Sequence, residues 1–207
     1  VWVSGDGLHV FLADLCCDGK IRLSTDTSWR WHIHEGYASL GTTGYETQFL
    51  ERYDSGSPQE GFEAPDYDDS DWQPARERKE MEVSLYEQRT KNIVTEPIRP
   101  VSLRRLEEGI YQADFGSVYV GTMELKARGP AGSLILLRYG QELTDEGRVR
   151  YELRANRRYE EEWILSGGKD RLKNYDYKSF RYAEIRMPEG ARIDEGSVCI
   201  LARHYPF

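Results

Sequence analysis

The sequence predicts an all-β protein, a β-sandwich or jelly roll arranged as two units. Three observations carry that prediction. Met123, Leu125 and Ala127 alternate with Glu124, Lys126 and Arg128, a period of two that puts the apolar set on one face of a strand. Strand-and-turn segments recur about every ten to twenty residues, with almost no helical period. Hydrophobic residues are 39% of the chain, yet it holds 14 Tyr and 5 Trp. Aromatics in that proportion fill thin sandwich cores or line binding grooves.

Residues 8–13 and 20–24 read as strands around the turn-forming Cys17-Asp18-Gly19-Lys20, with Leu8, Val10 and Leu12 sharing a face. Thr25-Asp26-Thr27-Ser28-Trp29 is rich in side chains that bond the local backbone, hence a turn, and Trp29 or Trp31 is expected to pack on the first sandwich. Residues 36–44 are small and polar, a loop. Residues 48–54 form a short strand or extended arm, and 55–66 an excursion over the surface. Asp68-Asp69-Ser70-Asp71-Trp72 resembles an N-cap opening a helical turn. Residues 76–86 are charged, a helix or a linker. Pro97 and Pro100 mark an extended crossing, and the unit boundary is placed there. The first unit, 1–96, is expected to lack its opening strands; the second, 97–207, is the jelly roll.

The alternating strand ends at Gly129-Pro130-Ala131-Gly132, since proline removes a donor and glycine permits positive φ. Residues 133–139 are apolar at almost every position, as in a strand covered on both faces. The two strands are expected to pair as a central hairpin. Residues 144–147 turn, and 148–158 are expected to form an arginine-rich loop, exposed or partner-facing. In 159–165, Tyr159, Glu161, Trp163 and Leu165 share one face. Residues 166–169 turn the chain again. In 180–187, Ala183, Ile185 and Met187 share a face opposite Phe180 and Tyr182, and 198–203 closes the sandwich.

At 207 residues the chain suits one large domain or two small ones. Its net charge of −8 repels phosphate backbones, so nucleic acid is not an expected partner. No apolar run approaches the roughly 20 residues of a membrane helix, so no membrane partner is expected either. Cys16 and Cys17 are adjacent, an awkward geometry for a mutual bridge, although Cys199 could pair with either. Free thiols favour a reducing, cytoplasmic compartment over a secreted one. With Val1 in place of Met, the start is expected to be missing or processed, and the chain to be a piece of something longer.

Several stretches, taken together and in order, resemble the non-catalytic β domains of bacterial α-L-rhamnosidases. Asp114-Phe115-Gly116 with Gly121, the Gly129-Pro130-Ala131-Gly132 turn and the strand end Gln141-Glu142-Leu143 are similar to that family. So are Arg154-Ala155, Trp163-Ile164-Leu165-Ser166-Gly167 and Phe180-Arg181-Tyr182-Ala183-Glu184. Upstream, Thr25-Asp26-Thr27-Ser28-Trp29, Glu51-Arg52-Tyr53-Asp54 and Asp68-Asp69-Ser70-Asp71-Trp72 fit the same pattern. Ser117 and Ser179 depart from it, where the family often has Gln and Gly. The resemblance implies galactose-binding-like or concanavalin-like sandwiches. It further implies an inverting glycosidase acting on terminal α-L-rhamnosides, whose chemistry lies in an (α/α) barrel that this chain does not contain. The chain would then be an accessory region with that barrel and carbohydrate as its partners, and not catalytic by itself.

Two other readings stand beside it. One is a carbohydrate-binding module that holds sugar itself. Tyr53 with Asp54, Trp29 with Asp26, and Tyr175 and Tyr177 offer the aromatic faces and planar polar groups that a sugar ring requires. No cofactor is expected, although calcium, which takes six to eight oxygens, would suit Asp66, Asp68, Asp69 and Asp71. Those acids lack the central Gly and closing Glu of an EF-hand loop. The other reading is a self-sufficient glycosidase using Glu160 and Glu162, two apart on one strand and so about 7 Å apart, within the range for inversion. Opposite Trp163, however, they read as a solvated outer face. His32 and His34 lack a third zinc ligand. Arg148, Arg150 and Arg154, with Arg157 and Arg158, form a basic cluster suited to docking on a neighbouring domain's carboxylates or on sugar hydroxyls.

Overall fold

The computed structural model of the chain describes residues 10–43, 48–77, 86, 88–154 and 157–206. Its strands are β1 (Asp14–Cys17), β2 (Lys20–Ser24), β3 (Arg30–Trp31), β4 (Tyr37–Thr43), β5 (Gln48–Asp54), β6 (Gln73–Pro74), β7 (Val94–Ile98) and β8 (Ser102–Glu107). They continue as β9 (Ile110–Arg128), β10 (Leu134–Gly140), β11 (Glu152–Leu153), β12 (Arg157–Arg158), β13 (Glu160–Ile164), β14 (Lys169–Arg171), β15 (Lys178–Arg186) and β16 (Arg192–His204). Among the described residues there is no helix. The protein is all-β.

Two compact units emerge, one of Val1–Ile33 with Gly61–Gln88, the other of His34–Glu60 with Arg89–Phe207. Strand pairing thus crosses the expected 96/97 boundary. β5 lies parallel to β13, with Tyr53 opposite Trp163, and β4 pairs with β5. A short segment with its own apolar positions, Leu50 and Tyr53, finds its partner more than a hundred residues on.

In the first unit, β1 and β2 form a hairpin whose turn residues Asp18 and Gly19 have φ of 53° and 70°. That is the left-handed pair a two-residue turn demands. The turn falls where expected, but the first strand is Asp14–Cys17 rather than 8–13, and Leu8 lies outside the described residues. Trp29 is half-buried, its ring 6.0 Å from Phe11, whereas Trp31 is exposed. Residues 68–72 make a plain turn, with Trp72 N–H donating to the Asp69 carbonyl. No helix follows, and the Asp68 carboxylate is engaged by Ser70, accepting its amide at 3.0 Å and its side chain. Of the segment 76–86, residues 78–85 lie outside the described residues. Among the described residues, none of the buried hydrophobic ones comes from this unit.

The second unit contains a 10-stranded sheet in the order β4-β5-β13-β10-β15-β9-β16-β7, with β8 and β14 also on β9. The 19-residue β9 is its axis. The first part of β9 pairs with β15 and β8, and the last part with β16 and β14. Gly121 marks the passage between them, since a Cβ there would meet the Leu201 carbonyl at 2.2 Å. Only glycine allows so close an approach. The sheet folds over one core containing Phe115, Leu125, Ile135, Leu137, Trp163, Phe180, Ile185, Val198 and Ile200. This is the sandwich.

Three expectations are corrected. β9 and β10 do not pair: β10 lies between β13 and β15, so the 129–132 turn carries the chain across the core instead of closing a hairpin. Gly129 sits against Leu165 and Ala191 there, with no space for a side chain. Residues 36–44 are not a loop, because 37–43 form β4; Gly44 is outside the described residues. Phe180 faces the same core as Ala183 and Ile185, because the β15–β9 register shifts between Phe180 and Tyr182. Arg181 alone stands against residues 115–118 of β9, and that irregularity resets the alternation.

Candidate functional site

β13 buries every second residue, and the expected inward set Tyr159, Glu161, Trp163 and Leu165 all lie in the interior. Trp163 satisfies its indole N–H on the Ser55 hydroxyl at 2.7 Å. Glu161 is the exception among apolar neighbours. Its carboxylate lies 2.6 Å from Lys178 Nζ, with each side chain only 2% exposed. Asn174 Nδ2 donates to its second oxygen at 2.5 Å, and the Glu51 amide donates to the first at 3.2 Å. Burying two charges costs several kcal/mol per ion unless each is paired and hydrogen-bonded. Here both conditions hold. Desolvation still pushes the Glu161 carboxyl up, with Lys178 opposing it.

Glu51, on β5, sits beside this pair. Its carboxylate accepts the amides of Tyr175 and Asp176, each at 3.1 Å. Burial, reinforced by the neighbouring Glu161 charge, pushes its pKa up to about 7. The segment 173–177 is pinned further by the Tyr37 hydroxyl on the Lys173 carbonyl at 2.8 Å. Gln48 Nε2 donates to the Tyr177 carbonyl at 3.0 Å, and the Phe49 amide donates to the Asp176 carboxylate. Lys178 Nζ also reaches the Asp176 carbonyl at 3.2 Å. A loop held this way presents its side chains rigidly. Tyr175 is 59% and Tyr177 47% exposed.

A run of rings leads from that loop inward. Tyr175 packs on Tyr37 with centroids 4.9 Å apart, and Tyr37 stacks on Tyr53 at the same separation. Tyr53 is buried, its hydroxyl donating to Glu60 at 2.6 Å, and Glu60 is also paired with Lys173 at 2.6 Å. Desolvation raises Glu60, but Lys173 and Tyr53 outweigh it and hold the carboxyl below its usual value. Tyr53 therefore cannot offer its face to a sugar; it supports Tyr37 and, through it, Tyr175. Asp54 is spent on the turn, accepting the Gly56 amide at 2.8 Å. Asp26 and Trp29 belong to the first unit. There Asp26 accepts the Ser28 amide and hydroxyl, bonds that hold its carboxyl low, and Trp29 Nε1 donates to the Ser24 carbonyl.

The outward charges of the second unit form a separate network. Glu160 lies 2.6 Å from both Arg138 and Arg158, and Glu162 lies 2.5 Å from Arg52. Both acids are closed into ion pairs on a charged outer face, rather than facing each other across a cleft. Arg148 binds Glu184 at 2.9 Å and Glu107 at 2.5 Å, so it is an internal strut and not a free docking group. Arg150 and Arg154 are exposed. Burial works to raise Glu184, yet Arg148 and Arg186 together hold it below the ordinary carboxylate range. Among the described residues, no three His, Cys, Asp or Glu side chains converge as metal ligands. All three cysteines are free: Cys16 and Cys17 exposed, Cys199 buried.

Sequence reasoning placed Glu161 on the inward face but passed over it as a functional group. The signal was a carboxylate in phase with Tyr159, Trp163 and Leu165. Its partner Lys178 follows the noted Tyr175-Asp176-Tyr177 run directly.

A comparison with curated proteins returned no match. Among solved structures, the α-L-rhamnosidase from Dictyoglumus thermophilum is 25% identical, with a TM-score of 0.70 over 91% of this chain and 21% of that one. Two others share the fold. The α-L-rhamnosidase from Aspergillus terreus is 22% identical, with a TM-score of 0.66 over 91% of this chain and 22% of that one. The Streptomyces avermitilis α-L-rhamnosidase, complexed with L-rhamnose, is 23% identical, with a TM-score of 0.66 over 92% and 18%. The present chain thus spans about a fifth of the length of these proteins. Residues 104–202, which carry β9 and the later strands as far as most of β16, match the bacterial alpha-L-rhamnosidase concanavalin-like domain.

Proposed function

We propose that the chain is the accessory β-sandwich region of an inverting α-L-rhamnosidase-like glycoside hydrolase acting on rhamnose-containing glycans or glycosides. It supports a catalytic (α/α) barrel elsewhere in the same polypeptide. The observation that carries this reading is the family match at 104–202 combined with fold likeness across nine-tenths of the chain. The ion-paired state of Glu160 and Glu162 favours it over a self-sufficient glycosidase. Hydrolysis of p-nitrophenyl α-L-rhamnoside tests it. The polypeptide containing this chain should turn the substrate over with inversion, and the chain alone should not. Turnover by the isolated chain would refute the accessory role.

A second reading, a module that itself holds sugar, is favoured by the pinned loop that displays Tyr175 and Tyr177. Calorimetric titration of the chain with L-rhamnose, with and without EDTA, separates the two. Saturable heat that disappears in Tyr175→Ala would establish the module, and loss with EDTA would add calcium to it.

A further inference from the structure

On the outer surface of the sandwich, β14, the end of β9 and the start of β16 lie side by side. The register sets Lys169 opposite Arg128, and Arg128 opposite Arg192. The next outward row is Arg171, Lys126 and Asp194. All six side chains are exposed, and they line a shallow cleft of ≈ 520 Å³. Neighbouring strands are about 5 Å apart, so the first row places three cations across roughly 10 Å. Like charges directly opposite one another across a sheet are destabilising.

Internal counter-ions do not relieve this row. Glu124 is engaged with Arg171 at 2.9 Å, and Asp194 stands in the second row, opposite Lys126. The buried Asp170 accepts the Ser166 amide and hydroxyl. Among the described residues, Lys126, Arg128, Lys169 and Arg192 form no ion pair. A chain of net charge −8 therefore concentrates an unneutralised basic row at one place.

We infer that this cleft binds a carboxylate-bearing glycan, with Lys169, Arg128 and Arg192 contacting successive uronate groups. The inference rests on the glycosidase reading above and adds a ligand class to it. Guanidinium forks match carboxylates bidentately, while the aliphatic stems of Lys and Arg supply an apolar flank for the C–H faces of sugar rings. An acidic peptide fits less well. Peptides commonly add to an open strand edge, whereas these cations stand on the outward face of the sheet, with β9 beneath the centre of the row paired on both sides.

Affinity electrophoresis of the full chain tests this, using polygalacturonate, neutral mannan and poly-L-glutamate as probes. Polygalacturonate should retard the chain, less so as salt rises, and mannan should not. Arg128→Gln and Arg192→Gln should each weaken retention about tenfold, the worth of one charged hydrogen-bonded contact. The melting temperature of either variant should hold or rise, because like-charge repulsion is relieved; a merely structural arginine would lower it. Absence of polygalacturonate binding, equal binding of poly-L-glutamate, or unchanged retention in both variants would overturn the inference. Rhamnoside turnover by the containing polypeptide is scored separately. Turnover without polygalacturonate binding sinks this inference alone, and binding without turnover sinks the glycosidase reading alone.

Discussion

The two faces of β13 carry the same residue type under opposite conditions. Outward, Glu160 and Glu162 meet arginines that remain partly in water. Inward, Glu161 meets Lys178 with solvent almost excluded from both. Exposed pairs are screened and contribute little. An enclosed pair is expensive to form and more expensive to break, because the survivor is left charged in an apolar setting. The lesson is that a carboxylate's importance follows its side of the strand, not its presence in a run of three glutamates.

Breaking the inward pair should give the largest effect. Lys178→Met strands Glu161 and should cost about 3–5 kcal/mol in urea unfolding. Replacing both members, Glu161→Gln with Lys178→Met, should recover most of that loss. Failure to recover would show that Asn174 and the Glu51 amide, rather than the charge pair, dominate the site.

The next effect is a pH dependence. Burial holds the folded pKa of Glu51 up at about 7, above the ordinary glutamate value of 4.5. Between those values the native state retains a proton that the unfolded chain has released, so its contribution to stability falls as pH rises through the window and levels above 7. Glu51→Gln keeps an acceptor for the Tyr175 and Asp176 amides and should remove that slope. Melting temperatures of the two proteins from pH 5 to 8 would show it; parallel curves would contradict it. Smallest is the outward pair: Glu162→Gln should change unfolding free energy by no more than about 1 kcal/mol.

Much of the fold was legible in the sequence because its strands have one apolar face. Met123, Leu125 and Ala127 alternate as written, and so do Tyr159, Trp163 and Leu165. What could not be read was which strand lies beside which. The 129–132 turn gives the same local signal whether the chain doubles back into a hairpin or crosses the core. Small, polar residues at 37–43 look like a loop until β5 pairs with them. The parallel β5–β13 contact likewise has no signature in either segment alone. The candidate site was legible in part. Tyr175 and Tyr177 are displayed, whereas Tyr53 is enclosed, since period-two reasoning gives a face but not what covers it. Arg148 looked free for docking because Glu107 and Glu184 reach it from other strands.

One consequence follows from β9. A single continuous strand stitched into both halves of the folded sheet leaves no seam along which either half can peel away. Hydrogen exchange at its amides before and after Gly121 should report one shared opening event, and the unit should melt as a whole.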